Sequence, residues 1–381
     1  MLIKNAVVYG KDFEPERDNI RVISEKIDSV GDMCAASGEE ELDFAGCIAV
    51  PGFIDIHIHG RMGCDTCDAK EESLEKISES LASLGITSFC PTTMTLGNEE
   101  LKKIFACTAG YMGNEKGAYI HGINMEGPYI SPAKKGAQNG KYVRNPDFDE
   151  FKALSDICPV SLVDVAPETE GAAEFAQKAK DIATVSEAHT SAGYDDAKKG
   201  FEKGFTHATH LFNAMTALGS REPGVVGAVF DSDTATAELI CDGFHISPVT
   251  LRIAFKVLGE NRSVVVSDSM MAAGLKDGDY ELGGQEVFVR DGKALLADGT
   301  IAASTSNILD EFRNIVSFGI PFKQAVKSCT INPARAIGAD KYTGTIEEGK
   351  FADILILDKE LNVKAVFVKG CLLYTSPSPR D

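Results

Sequence analysis

The stretch Val50-Pro51-Gly52-Phe53-Ile54-Asp55-Ile56-His57-Ile58-His59-Gly60 closes an apolar run with two histidines. Residues two apart on an extended strand share a face, so both imidazoles point the same way and can chelate a metal. Pro51-Gly52 marks an abrupt entry into the strand. A lone His-x-His pair is as often ordinary packing as a site. Its weight depends on partners, and the chain supplies them. Glu126-Gly127-Pro128, His189, His210, Asp242-Gly243-Phe244-His245 and Asp268 each close a further apolar run. Singly, each has a bland reading. Glu126 could be a solvated loop acid, Asp268 before Ser269 a helix cap, and His245 a surface residue. Yet His57, His59, His189, His210 and His245 make five of the 7 histidines, and histidines scattered through a core would not sort this way.

These residue types suit hydrolysis. One carboxylate and two imidazoles, Glu126, His189 and His210, make a three-ligand site with an open position, as hydrolytic zinc enzymes use. Asp268 could take a proton from water and return it to a leaving amine. His57 and His59 permit a second ion. The remaining histidines read as structural. His207 is an odd step from His210 and is expected on the other strand face, and His121 opens its run away from the others.

Eight strand-like runs position these groups: residues 53–59, 87–92, 118–126, 160–166, 183–189, 207–211, 237–241 and 263–268. Helix-like segments separate them, such as 72–84 and 170–182. Eight alternating units predict a (β/α)8 TIM-type barrel, with the polar residues at the C-terminal ends of its strands, where barrel enzymes carry their chemistry. A doubly wound sheet is the alternative, but no glycine-rich phosphate loop follows the first strand. The chain ends carry short strand-like runs that could pair into a small β-sandwich. The expected organisation is therefore a β domain from 1–50 and 341–381, with the barrel at 51–340.

The chain has 381 residues and a net charge of −19. That surface argues against nucleic acid and anionic membranes, though a few local cations could still hold an anionic small molecule. No apolar run is long enough to span a bilayer. The 10 cysteines form no framework, Cys64-x-x-Cys67 reads as unremarkable thiols, and no secretory signal opens the chain, so a reducing cytoplasm is expected.

Several segments together carry a resemblance. They are 51–60, Met125-Glu126-Gly127-Pro128-Tyr129 with Lys135-Gly136-Ala137-Gln138, Thr209-His210-Leu211-Phe212-Asn213-Ala214-Met215, Arg221-Glu222-Pro223-Gly224, Asp242–His245 and Asn332-Pro333-Ala334. Over roughly residues 1–370 the chain resembles the amidohydrolase superfamily and, within it, the N-acetylglucosamine-6-phosphate deacetylases. The resemblance implies metal-dependent removal of an acetyl group from an amino-sugar phosphate, with one or two Zn or Fe ions. Glu126, His189 and His210 would be the main ligands, with His57 and His59 for a second ion, and Asp268 would be general base and then acid. Ala137, Gln138, Asn213, Ala214, Asp242, Gly243, Phe244, His245, Ile301, Ala302 and Ala303 would surround substrate. Arg221 would reach into the neighbouring site of a homodimer.

The chain departs from the family's pattern in three places. Gln138 stands where many relatives carry histidine. Ile301-Ala302-Ala303-Ser304 replaces Leu-Ala-Gly-Ser, so Ala303 adds a methyl where glycine allows close approach. From Cys371 onward the tail does not resemble the family, and the final strand is expected to break off. A cyclic-amide hydrolase is the rival within the superfamily, but those binuclear enzymes bridge their metals with a strand-4 lysine, absent from 160–166. A barrel without catalysis would be expected to have lost ligands, and here all are present.

Overall fold

A computed structural model describes residues 1–375. Its centre is a run of parallel strands: β1 (Phe53–Ile58), β2 (Ile86–Pro91), β3 (Ile123–Tyr129), β4 (Val160–Val165), β5 (Thr184–Glu187), β6 (Phe205–Ala208), β7 (Thr236–Leu239) and β8 (Ser263–Val265). Pairing runs in sequence order from β3 to β8 and from β1 to β2. Two single parallel bridges join the runs, Thr92 to Asn124 and Ile58 to Ser269. Every residue of β1, β2 and β3 is buried, as expected of parallel strands covered on both faces. Helices connect them. Glu71–Ala82 buries Leu74, Ile77, Ser78 and Leu81 along one stripe and carries Glu71 and Glu72 in its first turn, where acids favour a helix N-terminus.

Several expected boundaries move. The run 118–126 is two strands, Tyr119–Ile120 beside β2 and β3 beside β4. The break falls at Gly122, where a Cβ would sit 2.8 Å from the Pro159 carbonyl oxygen. The helix expected at 170–182 is shorter, Ala172–Ala179. Strands β6 and β8 end before the site residues that follow them. His210 and Asp268 lie beyond, in left-handed backbone with φ of 33° and 46°, a conformation that costs energy for residues with a Cβ and gathers at functional sites.

Both chain ends contribute to two further sheets. In one, Leu2–Lys4 lies between Asn19–Ile23 and Glu41–Asp43, with Lys26–Gly31 outside. The other runs Cys371–Thr375, Val363–Val368, Ile354–Leu357, Ile48–Pro51, Val7–Tyr9 and Pro15–Arg17. Ile3, Val8, Ile20, Ala49, Ile354, Ile356 and Phe367 belong to one apolar cluster at their core. Ile48–Pro51 passes through Gly52 straight into β1. A side chain at Gly52 would meet Thr87 at 2.2 Å, so the abrupt entry needs glycine. The expectation that the chain breaks off at Cys371 is corrected in part: Cys371–Thr375 is an edge strand paired with Val363–Val368. The rest of that tail, 376–381, lies outside the described residues.

One element went unread in the sequence. After β8, four antiparallel strands, Gly278–Leu282, Gln285–Arg290, Lys293–Leu295 and Ile301–Ala303, form a separate sheet. Leu282, Val287, Val289 and Ala294 pack with Met94 and Met270. This places Ile301 and Ala302 over the same cavity that the ends of the parallel strands line.

Candidate active site

Glu126, near the middle of β3, is the hub. Its Oε1 lies 3.0 Å from His189 Nε2 and 3.3 Å from His210 Nε2, and those two nitrogens are 3.1 Å apart. A tetrahedral ion with bonds of about 2.0–2.1 Å sets its ligand atoms roughly 3.3 Å apart, so the spacing fits. The histidine orientation fits too. His189 Nδ1 is 2.9 Å from the Lys134 carbonyl oxygen. An oxygen that can only accept fixes the proton on Nδ1 and leaves the Nε2 lone pair facing Glu126. Electron-rich atoms converge on one point, which only a positive charge stabilises. Gly127 lets the backbone turn away from Glu126, since a Cβ there would lie 2.1 Å from Thr95 Oγ1.

A second group shares the same carboxylate. His59 Nε2 lies 3.2 Å from Glu126 Oε2, and His57 Nε2 lies 3.6 Å from Glu126 Oε1. Asp268 Oδ1 stands 3.4 Å from His59 Nε2 and 3.6 Å from His57 Nε2. Asp268 therefore sits beside this pair as well as facing the cavity. His57 Nε2 is buried without a hydrogen-bond partner, because its Nδ1 is taken by Glu238 Oε2 at 2.9 Å. The triads His57–His59–Glu126 and Glu126–His189–His210 each bring their ligand atoms within 4.8 Å of one another.

The electrostatics attract cations. Burial alone would lower the His59 pKa, but Asp268 and Glu126 hold it up at about 10. His57 is likewise raised well above its ordinary value: burial opposes charge there, yet Glu238, Asp268 and Glu126 outweigh it. Burial would raise Glu126, but His57, His189, His210 and His59 hold it well below the ordinary carboxylate range. The field that would keep protons on these imidazoles in a metal-free chain equally favours a divalent cation.

Above the two groups lies a cavity of about 370 Å³. Of the expected substrate residues, it is lined by Ala137, Gln138, Asn213, Ala214, His245, Ile301 and Ala302, together with His59, Glu126, His189, His210 and Asp268. His57 lies beneath them, fully buried. Gln138 is committed on both ends. Its amide donates to Glu126 Oε2 at 2.6 Å, and its carbonyl accepts from the Thr95 N–H at 2.7 Å. His245 Nδ1 is 2.6 Å from Asp242 Oδ2, while Asp242 Oδ1 accepts from the Phe244 and His245 N–H groups, both at 2.8 Å. Asp242 thereby fixes the His245 ring, and the Asp242 pKa is lowered although burial opposes it.

The other expected residues lie elsewhere. Asp242, Gly243 and Phe244 line a neighbouring depression with Lys293. Ala303 is buried, and its methyl does not line the cavity. Arg221 is exposed, away from the cavity of its own chain.

Sequence reasoning missed Lys134, Phe212 and Thr300, which line the cavity, and Glu238, which lies behind it. Glu238 Oε2 also accepts from the His210 N–H at 3.0 Å, and Oε1 is 3.3 Å from His207 Nε2. The signal was legible: an acid inside the apolar run Ala237-Glu238-Leu239 needs partners. The reading of His207 is corrected with it. His207 is buried against Glu238 and Thr236. Strand parity with His210 does not hold, because β6 ends at Ala208 and His210 has left-handed backbone.

Comparison with known proteins follows this geometry. The amidohydrolase family profile matches residues 48–373. N-acetylglucosamine-6-phosphate deacetylase of Bacillus subtilis (strain 168) is 34% identical over 340 residues, covering 87% of this chain and 86% of its own. N-acetylgalactosamine-6-phosphate deacetylase of Escherichia coli O157:H7 is 34% identical over 331 residues, covering 84% and 86%. The crystal structure of N-acetylglucosamine-6-phosphate deacetylase from Pasteurella multocida superposes with a TM-score of 0.92 at 30% identity, covering 98% of this chain and 99% of that one. With its buried histidine–carboxylate cluster and a match that spans most of its length, the chain belongs to the amidohydrolase family.

Proposed function

We propose that the chain hydrolyses the acetamide of N-acetyl-D-glucosamine 6-phosphate to D-glucosamine 6-phosphate and acetate, in amino-sugar breakdown. The observation that carries this reading is Glu126 held between two histidine pairs, with Asp268 beside it, at the floor of a cavity. A zinc or iron(II) ion held by Glu126, His189 and His210 would supply Lewis acidity toward the amide carbonyl and lower the pKa of water at that point. His57 and His59 would hold a second ion, shared through Glu126. The residues divide the remaining tasks. Asp268 Oδ1 takes a proton from the attacking water and returns it to the leaving nitrogen. Gln138, held between Glu126 and Thr95, fixes the carboxylate and presents its amide edge to the acetyl end. His245, oriented by Asp242, and the Asn213–Ala214 turn bind the sugar phosphate.

The same reading sets this site at the C-terminal mouth of a (β/α)8 barrel spanning 51–340, with a β-sandwich built from 1–50 and 341–381. The continuous β3–β8 pairing and the two bridges at Thr92–Asn124 and Ile58–Ser269 support closure. The exposure of Arg221 supports a homodimer in which it serves the neighbour's cavity. Among the described residues no helix is long and apolar enough to cross a membrane, and the 10 unpaired cysteines support a reducing, cytoplasmic setting.

Acetate release from the sugar phosphate by protein loaded with zinc or iron(II) tests the reaction. No release from either metal form would overturn it. The galactosamine epimer is the second reading, favoured by the relative of that name at equal identity. Turnover of the two epimers side by side decides between them. A different N-acetylated or cyclic amide remains the alternative if neither reacts. For a cyclic amide, β4 offers Asp164 in place of a metal-bridging lysine.

A further inference from the structure

A sugar phosphate brings about two negative charges into a protein of net charge −19, and into a cavity whose floor already holds Glu126 and Asp268. The amide end can be met by the ions. The phosphate on C6 is attached across the pyranose ring from the acetamide on C2, so it needs a cation at the other side of the cavity. Arg221 is not on the cavity wall of its own chain. Among the described residues, Lys134 is the one lysine or arginine that lines the cavity.

Its placement suits the task. Lys134 ends a short helical turn, Pro132–Lys134. The backbone of this residue is fixed by the site, since its carbonyl oxygen accepts from His189 Nδ1 at 2.9 Å. The side chain leaves that anchor and crosses to the Asn213–Ala214 turn, where the ammonium donates to the Met215 carbonyl oxygen at 3.2 Å. Ala214 has left-handed backbone, φ 49°, and its carbonyl accepts from the Thr190 N–H at 3.0 Å, so the turn that meets the lysine is itself pinned. One carbonyl contact leaves two of the three ammonium donors free, and Lys134 is half-buried, where a phosphate contact is screened less than at the open surface. Resting on the sugar-phosphate reading above, we infer that Lys134 is the phosphate-binding cation supplied by the chain's own cavity wall, and the residue that makes the site prefer phosphorylated over free amino sugars.

The experiment compares Lys134→Met and Lys134→Arg with the unaltered, metal-loaded protein on N-acetylglucosamine 6-phosphate and on unphosphorylated N-acetylglucosamine. Lys134→Met is expected to lower kcat/KM for the phosphorylated sugar at least tenfold, mainly through KM, and to leave the free sugar unchanged. Lys134→Arg, which keeps the charge, is expected to restore most of the loss. A parallel fall on both sugars would mean that Lys134 only supports His189 and the Met215 turn, and would overturn the inference. An unchanged preference would overturn it equally. Calorimetric binding of glucosamine 6-phosphate separates the inference from the reaction. If the protein binds this sugar phosphate but releases no acetate, the proposed reaction fails, and Lys134 stands or falls on whether Lys134→Met weakens binding at least tenfold. A protein that binds no sugar phosphate at all would sink both.

Discussion

His57 Nδ1 lies 2.9 Å from Glu238 Oε2, and the same oxygen accepts from the His210 N–H at 3.0 Å. One fully buried carboxylate on β7 thus touches a residue of each candidate metal group. It sets the His57 tautomer by accepting from Nδ1, which aims Nε2 at Glu126 and Asp268. With His210 it only steadies the backbone. Replacing Glu238 with Gln is therefore expected to weaken the ion at His57 and His59 by about 10- to 100-fold, and the ion at Glu126, His189 and His210 far less. Titration of the metal-free protein with zinc, reading the two affinities separately, checks this. Unchanged affinity at the His57 group would count against it. Glu238→Ala, which leaves His57 and His207 without their partner, is expected to cost about 3–5 kcal/mol of stability in addition.

Glu126 belongs to both groups, through Oε1 toward His189 and His210 and through Oε2 toward His59. Removing it should empty both, whereas His59→Ala should empty one. Elemental analysis of the purified variants, in metal per chain, distinguishes the two patterns. Glu126→Ala that still retains an ion would show that the histidines suffice without it.

Much of the site was readable because its residues sit where strands stop. His57, His59, Glu126, His189, His210 and Asp268 are found together, as their positions after apolar runs implied. What the sequence hid depends on contacts between segments far apart. Glu238 is 181 residues from His57, and nothing in either local stretch links them. His207 was misplaced because alternation is a property of a continuing strand, and β6 stops before the parity could carry to His210. The antiparallel sheet after β8 is a different case. Its Gly283-Gly284 and Asp291-Gly292 turns between alternating runs are ordinary hairpin signals, and they went unread once the count of eight strands ended at Asp268. Lys134 carried no signal of its own, since one lysine on a polar turn gains meaning only from the cavity it faces.

Asp268 combines two relationships: its Oδ1 is 3.4 Å from His59 Nε2, and its side chain lines the cavity. If its main task is proton transfer, Asp268→Asn should lower kcat by about 10²- to 10⁴-fold while the ion at Glu126, His189 and His210 is retained. Steady-state kinetics alongside metal content of the same sample provide the check. A variant that keeps full activity would remove Asp268 from the proposed role. One that loses both ions would make it a ligand first.

His121 gives a stability prediction independent of the site. It stands at the break between Tyr119–Ile120 and β3, with Nε2 2.9 Å from Ser88 Oγ and its ring 5.0 Å from that of Tyr119. Burial of the ring, with the Lys369 charge adding to it, lowers its pKa to about 4. A histidine depressed in the folded chain binds its proton more readily when unfolded. Its contribution is therefore fully present above the unfolded value near 6.5 and is lost as pH falls from there toward 4. The shift corresponds to at most roughly 3 kcal/mol, trimmed because part of the residue reaches solvent. His121→Gln keeps a polar group near Ser88 but cannot titrate. Denaturant unfolding at pH 7 and at pH 4.5 should show the original chain losing more stability than the variant over that interval. Equal losses would mean that His121 keeps an ordinary pKa in the folded chain, with the strand break open enough to hydrate its charge.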